Sequence, residues 1–178
     1  IDAGCIADDP EAIRSALANA ATDADLLITS GGVSVGDADY LTDIVSESGT
    51  LDFWRLNLKP GKPLALGSFA DTRYLGLPGN PVSSAVTFLL IAQPLILAMA
   101  GARPESPHFS TAQLTETIHH RPGREEYQRG HQKTVSGRSV VTPTGDQSSN
   151  RLSSFRKANC LIRIGKDDGD VQPGEMVD

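Results

Sequence analysis

The stretch "LLITSGGVSVGDADY", Leu26 to Tyr40, decides the fold, because its character changes in the middle. Its short apolar run reads as a buried strand. A loop with three glycines (Gly31, Gly32, Gly36) and two hydroxyls (Ser30, Ser34) follows. Acidic residues and an aromatic then open a second helix over 39–48. Strand, glycine loop and helix form the repeating step of an open α/β sheet, where ligands collect at the carboxyl ends of strands. Glycines let amide N–H groups come close to an anion, and a helix N-terminus favours negative charge by about 0.3–1 kcal/mol. A tight turn requiring positive φ would use the same glycines. The spacing is neither G-x-G-x-x-G nor a Walker loop, so neither dinucleotide nor P-loop chemistry follows.

Working outward, "IDAGCIADDPEAIRSAL" lacks an initiator methionine and reads as the end of a strand entering a helix, the mark of a fragment of something longer. Asp9 suits the N-cap and Pro10 the first helical position. Ala12, Ile13, Ala16 and Leu17 recur at helical spacing over 10–22. On the other side, "LDFWRLNL", "LALGSF" and "RYLGL" read as strands, "KPGKP" as a rigid turn and Gly49 as the stop of the second helix. "PGNP" leads into an apolar helix over 82–100. The alternation predicts a mostly parallel sheet with helices on both faces. Composition shifts at "GARPESPH", 101–108; beyond it, sparse strand-like runs separated by Gly, Pro, Asp and Ser predict a small all-β barrel or sandwich. The division expected is an α/β domain over 1–103 and a β-domain over 108–178.

A net charge of −6 argues against a nucleic-acid partner, since phosphate binding needs a basic face. Cys5 and Cys160 lie far apart without metal spacing, which fits free thiols in a reducing cytoplasm. No charged residue occurs from Tyr74 to Ala102, nearly enough for a membrane span. Ser83, Ser84, Thr87, Gln93 and Pro94 interrupt the run, so it reads as a helix buried inside a soluble domain.

Three loops carry the chemistry. In "KPGKP", Lys59 and Lys62 sit on a turn stiffened by Pro60 and Pro63, and two ammonium groups so close repel unless an anion lies between them. Even spacing along one strand would line up Arg55, Asn57 and Lys59 as a cationic row. In "GLPGNP", Pro78 and Pro81 freeze the backbone around Gly79-Asn80, and rigid donors at a helix start suit an oxyanion. Asp8, Asp37 and Asp39 follow strand ends on the same rim, where carboxylates can hold a divalent cation bridging to a phosphate. Helix capping and solvated surface charge explain some of these acids equally well. His119 and His120 are adjacent, which points their rings apart on a strand, and neither reads as a ligand. The residues alone describe a cleft for a polyanionic small molecule, with acids for a metal.

"TSGGVSVGDADY", "LKPGKPLALG" and "GLPGNPVSSAVTF", in this order and spacing, resemble the molybdopterin molybdenumtransferase family, to which the C-terminal region of gephyrin belongs. "GDQSSNRLSSFRKANCLIRIG" and "QPGEMVD" resemble that family's C-terminal β-domain. The resemblance implies a three-layer α/β/α molybdopterin-binding domain, N-terminally incomplete, followed by a small all-β barrel-like domain. It implies a cytoplasmic enzyme without a membrane span, homodimeric in its full-length form. The activity implied is insertion of molybdenum from molybdate into adenylylated molybdopterin with release of AMP, assisted by a divalent cation such as Mg2+. By motif position, Asp8, Asp39, Arg55 and Lys59 match catalytic residues, with Asp8 and Asp39 at the metal. Ser30, Gly31, Gly32, Ser34, Gly36, Pro78, Gly79, Asn80 and Pro81 match the molybdopterin and phosphate site. Lys59, Lys62, Ser83, Arg124 and Ser148 match donors to molybdate oxygens. Arg55 stands where bacterial members often carry lysine, which keeps the charge and changes the donor geometry. Two alternatives stand beside it: a gephyrin-type scaffold built on the same two domains, and the molybdopterin adenylyltransferase step. The adenylyltransferase family shares the glycine loop but is not expected to carry both "KPGKP" and "PGNP" with a β-domain behind them.

Overall fold

A computed structural model of the chain describes residues 1–33, 40–103 and 109–178. The chain folds into two compact units, one of residues 1–56 and 62–80, the other of 57–61 and 81–178.

In the first unit, α1 (Pro10–Ala21) starts where Asp9 accepts the Ala12 N–H at 2.9 Å, with Pro10 at the first position. Strand β1 (Leu26–Ser30), helix α2 (Tyr40–Ser48) and strands β2 (Gly49–Arg55), β4 (Pro63–Phe69) and β5 (Thr72–Leu77) complete it. The sheet order is β1-β5-β4-β2. Only the β1–β5 pair is parallel; β4 is antiparallel to both β5 and β2. The mostly parallel sheet read from the sequence is therefore corrected. The reason is connection length: a parallel crossover needs a dozen or more residues. Residues 56–62 and the two-residue Ala70-Asp71 turn are too short to supply one.

Leu17, Leu27, Val33, Ile44, Val45, Ala65, Phe69 and Tyr74 form one core, so α1 and α2 pack on the same sheet face. Leu64, Leu75 and Leu77 are also buried, on positions alternating with the first set, so both faces are covered. Two local expectations change. Residues 1–9 form no strand and are exposed, because the sheet ends at β1 and nothing pairs with them. Gly49 does not cap α2 with a left-handed turn; it opens β2, where an added Cβ would lie 2.0 Å from the Ser68 carbonyl oxygen.

In the second unit, β3 (Leu58–Lys59), β6 (Ala112–Leu114), β7 (Glu125–Val135), β8 (Arg138–Pro143), β9 (Cys160–Ile164) and β10 (Met176–Val177) form a β-sheet in the order β10-β6-β8-β7-β3, with β9 on β7. Its core is Ala112, Leu114, Ile118, Val141, Ile162, Ile164 and Val177. The β7–β8 hairpin turns on Ser136-Gly137, both with positive φ (49° and 78°), as a two-residue type I′ turn requires. An α/β unit and a second unit that combines this β-sheet with a helix over 81–99 are thus the architecture.

The apolar helix runs from Pro81 to Met99 as α3 (Pro81–Thr87), a π turn (Phe88–Ala92) and α4 (Gln93–Met99). The π turn has a cause: Pro94 lacks an N–H and its ring crowds the preceding turn, and Gln93 N–H reaches back to Phe88 O instead. By length and composition this helix could cross a membrane. Only the stretch up to Ala92 is packed as expected of a core helix: Val82, Ser83, Val86, Thr87 and Ala92 are buried, whereas α4 buries none of its residues.

Candidate functional site

Strand direction gathers the first unit's loop residues. Ser30, the last residue of β1, lies beside Leu77, the last of β5, and Arg55, the last of β2, lies opposite Pro63, the first of β4. These ends share one edge of the sheet. There Gly31 (φ 96°) and Gly32 (φ 69°) adopt left-handed backbone, which side-chain-bearing residues rarely tolerate. Gly31 N–H donates to Leu77 O at 3.1 Å, and the Ser30 hydroxyl donates to Pro78 O at 3.3 Å. An added Cβ on Gly79 would come within 3.3 Å of Gly31 Cα, so the glycine turn and the Pro78-Gly79 turn press backbone to backbone. Val33 anchors the glycine turn by dropping into the core over Gly76, where an added Cβ would lie 2.3 Å from Val33 Cγ1. Arg55 and Lys62 are exposed at the same edge, and Leu56 N–H closes the strand end on Lys62 O at 2.8 Å. The Gly31 amide is committed to protein, so an anion would be met by the remaining donors and the two cations.

The second unit holds Lys59 in a different setting. Leu58 and Lys59 pair in parallel with Glu125 and Glu126 of β7, so Lys59 lies directly opposite Glu126. The Lys59 ammonium contacts both Glu126 carboxylate oxygens, at 3.0 and 3.1 Å. Glu126 is buried and also bonded by His120 Nδ1 (2.8 Å) and Gln128 Nε2 (3.0 Å). Burial alone would raise its pKa; the donations from His120, Lys59 and Gln128 outweigh it and hold the carboxyl below its ordinary value. The Lys59-Pro60 bond is cis, and Gly61 (φ 113°) sits against α3, with an added Cβ 2.7 Å from Thr87 Oγ1 and 3.5 Å from Ser83 O. The turn therefore lies on the buried Ser83–Thr87 stretch of that helix. Arg124 is exposed immediately before β7.

Ser148 lies on a loop tied to β7. Its hydroxyl and amide both donate to Asp146, and its carbonyl accepts from the buried Arg129 guanidinium at 3.4 Å. Gln147 clamps the Arg129 backbone from both sides, at 2.9 and 3.0 Å. Arg129 also donates to Ser154 Oγ at 2.9 Å, and burial lowers its pKa.

The cationic row read along one strand is corrected. Arg55 ends β2 and Lys59 belongs to β3, which pairs with another sheet, so the chain changes sheet between them. Pro81 is exposed at the start of α3, and Asn80 is half-buried. Ser34, Gly36, Asp37 and Asp39 lie outside the described residues. Asp8 is exposed, in a bend before α1. Among the described residues no three His, Cys, Asp or Glu side chains gather as metal ligands. The described residues do not by themselves fit a divalent cation. His119 and His120 do diverge, to Asp170 and Glu126 respectively.

Sequence reading missed Glu126, His120 and Arg129. The sequence carried no signal for them: in "EEYQRG" the aromatic Tyr127 marks one register, yet Glu126 and Gln128, on the other, are the buried ones.

Residues 1–98 match the family model described as a probable molybdopterin binding domain, and residues 111–178 match the MoeA C-terminal region (domain IV). The molybdopterin molybdenumtransferase of Haemophilus influenzae is 41% identical over 180 residues, covering 99% of this chain and 44% of the relative. That of Nostoc sp. is 35% identical, covering 98% of this chain and 41% of the relative. The crystal structure of a molybdopterin biosynthesis moea protein from Pyrococcus horikosii superposes with a TM-score of 0.77 at 25% identity, over 98% of this chain and 41% of that one. The chain thus spans less than half the length of these relatives. A molybdopterin-binding model over more than half its residues, with the MoeA C-terminal model directly behind, places the chain in the molybdopterin-binding domain family.

Proposed function

We propose that this chain is the pterin- and molybdate-handling portion of a molybdopterin molybdenumtransferase. In this reading it takes adenylylated molybdopterin and molybdate as substrates and releases AMP. The observation that carries the reading is the backbone contact between the Gly31 and Pro78-Gly79 turns at one sheet edge, with Arg55 and Lys62 beside them. Such an edge, bare of side chains and flanked by cations, suits a phosphate-bearing ligand. Ser30, Gly32, Ser34, Gly36, Asn80 and Pro81 belong to the same proposed pterin and phosphate site.

Lys59, Lys62, Ser83, Arg124 and Ser148 are the proposed donors to molybdate oxygens. Fixed N–H and O–H donors stabilise an oxyanion without attacking it. Two Mo–S bonds form to the dithiol while one molybdate oxygen leaves with the two thiol protons as water. Cleavage of the adenylate is a hydrolysis: a second water's oxygen bonds to the AMP phosphorus as the bridging P–O bond to the molybdopterin phosphate breaks, and the water's protons pass to the two released phosphates or to solvent. The reading includes a divalent cation of the magnesium class at Asp8 and Asp39, a homodimer and a cytoplasmic location, all three drawn from family likeness.

The test is calorimetric titration with molybdate and with adenylylated molybdopterin, on wild type and on Lys59→Ala. Molybdate affinity in Lys59→Ala is expected to fall by about 10-fold, the loss of one charge-assisted contact of about 1.5 kcal/mol, and the melting temperature is expected to fall as well, because buried Glu126 loses one of its donors. Equal affinity in the variant removes Lys59 from the site. Absence of binding by either ligand to wild type removes the reading.

A further inference from the structure

We propose that Glu126 is the positioning residue for Lys59, with buried His120 and Gln128 holding its carboxylate from behind; the inference rests on Lys59 being an oxyanion donor. A lysine ammonium on a four-carbon stem is a mobile point charge unless something fixes it. Here the fixing group comes from the strand register, which sets Lys59 opposite Glu126 and brings the ammonium within 3.0–3.1 Å of both carboxylate oxygens. The Lys59 side chain is 49% exposed and that of Glu126 4%, so the ammonium has one face on the carboxylate and another open to a ligand. Glu126 cannot swing away. His120 Nδ1 binds Oε2 at 2.8 Å, Gln128 Nε2 binds Oε1 at 3.0 Å, and the His120 backbone is itself tied to Asp170 Oδ1 at 2.9 Å. His120 Nε2 is buried and has no hydrogen-bond partner among the described residues.

The charges set a specific expectation. A carboxylate beside the ammonium subtracts from the attraction felt by an incoming oxyanion. Glu126 therefore supplies location, not affinity. Location matters where one oxyanion oxygen must stay fixed while another leaves, and misplacement there is felt in turnover.

The test is steady-state molybdenum insertion by the complete protein, with molybdate varied, in wild type, Glu126→Gln, Glu126→Asp and Lys59→Met. In Glu126→Gln, kcat is expected to fall about 10-fold or more while KM for molybdate stays level or falls. Glu126→Asp is expected to recover much of the lost kcat. A raised KM at wild-type kcat in Glu126→Gln overturns the inference, and so does wild-type kinetics there beside an impaired Lys59→Met. Wild-type kinetics in Lys59→Met overturns the underlying reading of Lys59 and the inference with it. Should Glu126→Gln not fold, Glu126→Asp decides alone: reduced kcat without a rise in KM supports the inference, and wild-type kinetics overturns it.

Discussion

Glu126 is a carboxylate 3% exposed, and its three donors make it a stability element as well as a neighbour of Lys59. Its pKa is held below the ordinary 4.5 in the folded state. The stabilisation linked to its ionisation is therefore fully present above that value, and it is lost as pH falls below 4.5 through the lower folded value. Denaturation profiles across the acid range are expected to be flatter in Glu126→Gln than in wild type. At neutral pH that variant is expected to be less stable by about 1–3 kcal/mol, because one donor now faces an amide N–H. An acid limb identical in the two proteins would show that Glu126 is not ionised as described. Tyr127 reports the same neighbourhood from the other register of β7: burial first, and then the Glu125 carboxylate that accepts its hydroxyl, push its pKa up to about 12.

Strands and turns decide where the loops end up, and two of them can be tested directly. Val33 holds the glycine turn only because Gly76 leaves a hole for it. Gly76→Ala is expected to expel Val33 and destabilise the protein by about 1–3 kcal/mol, an overpacking cost readable by thermal melting. Binding of the proposed pterin ligand should weaken along with it. Ser136 adopts φ 49° in the β7–β8 turn, a conformation asparagine accepts more readily than serine. Ser136→Asn is expected to raise stability by about 0.5 kcal/mol, and a lowered melting temperature would argue against the turn geometry. The elements that sequence reading placed well, α1, α2, β1, β5 and the long apolar helix, have strong local signals: the Asp9-Pro10 cap, helical spacing and apolar runs free of charge. Pairing direction was legible but misread: residues 56–62 and the two residues between β4 and β5 leave no room for a parallel crossover. The loop glycines and Lys59 stood out as residue types. The Lys59–Glu126 pair did not, because its members are 67 residues apart in sequence and meet only when β3 pairs with β7.

Taken whole, the chain carries a net charge of −6, yet presents Arg55, Lys59, Lys62 and Arg124 with exposed side chains. Attraction for an oxyanion is thus a local property of a few loops and not of the overall charge. "LDFWRLNL" reads as one strand because nothing in its composition marks the point, after Leu56, where the backbone leaves one sheet for another. Residues 57–61 therefore complete a sheet whose other strands come after residue 111. Excising 108–178 as an independent piece would strip β7 of its short neighbour and leave Glu126 without its lysine. Such an excised piece is expected to melt earlier than the same sheet in the intact chain and to self-associate through the bared strand edge, which light scattering would reveal. Adding back a peptide spanning 56–62 should partly reverse both effects, since the sheet is stitched from two distant passages of the same polypeptide.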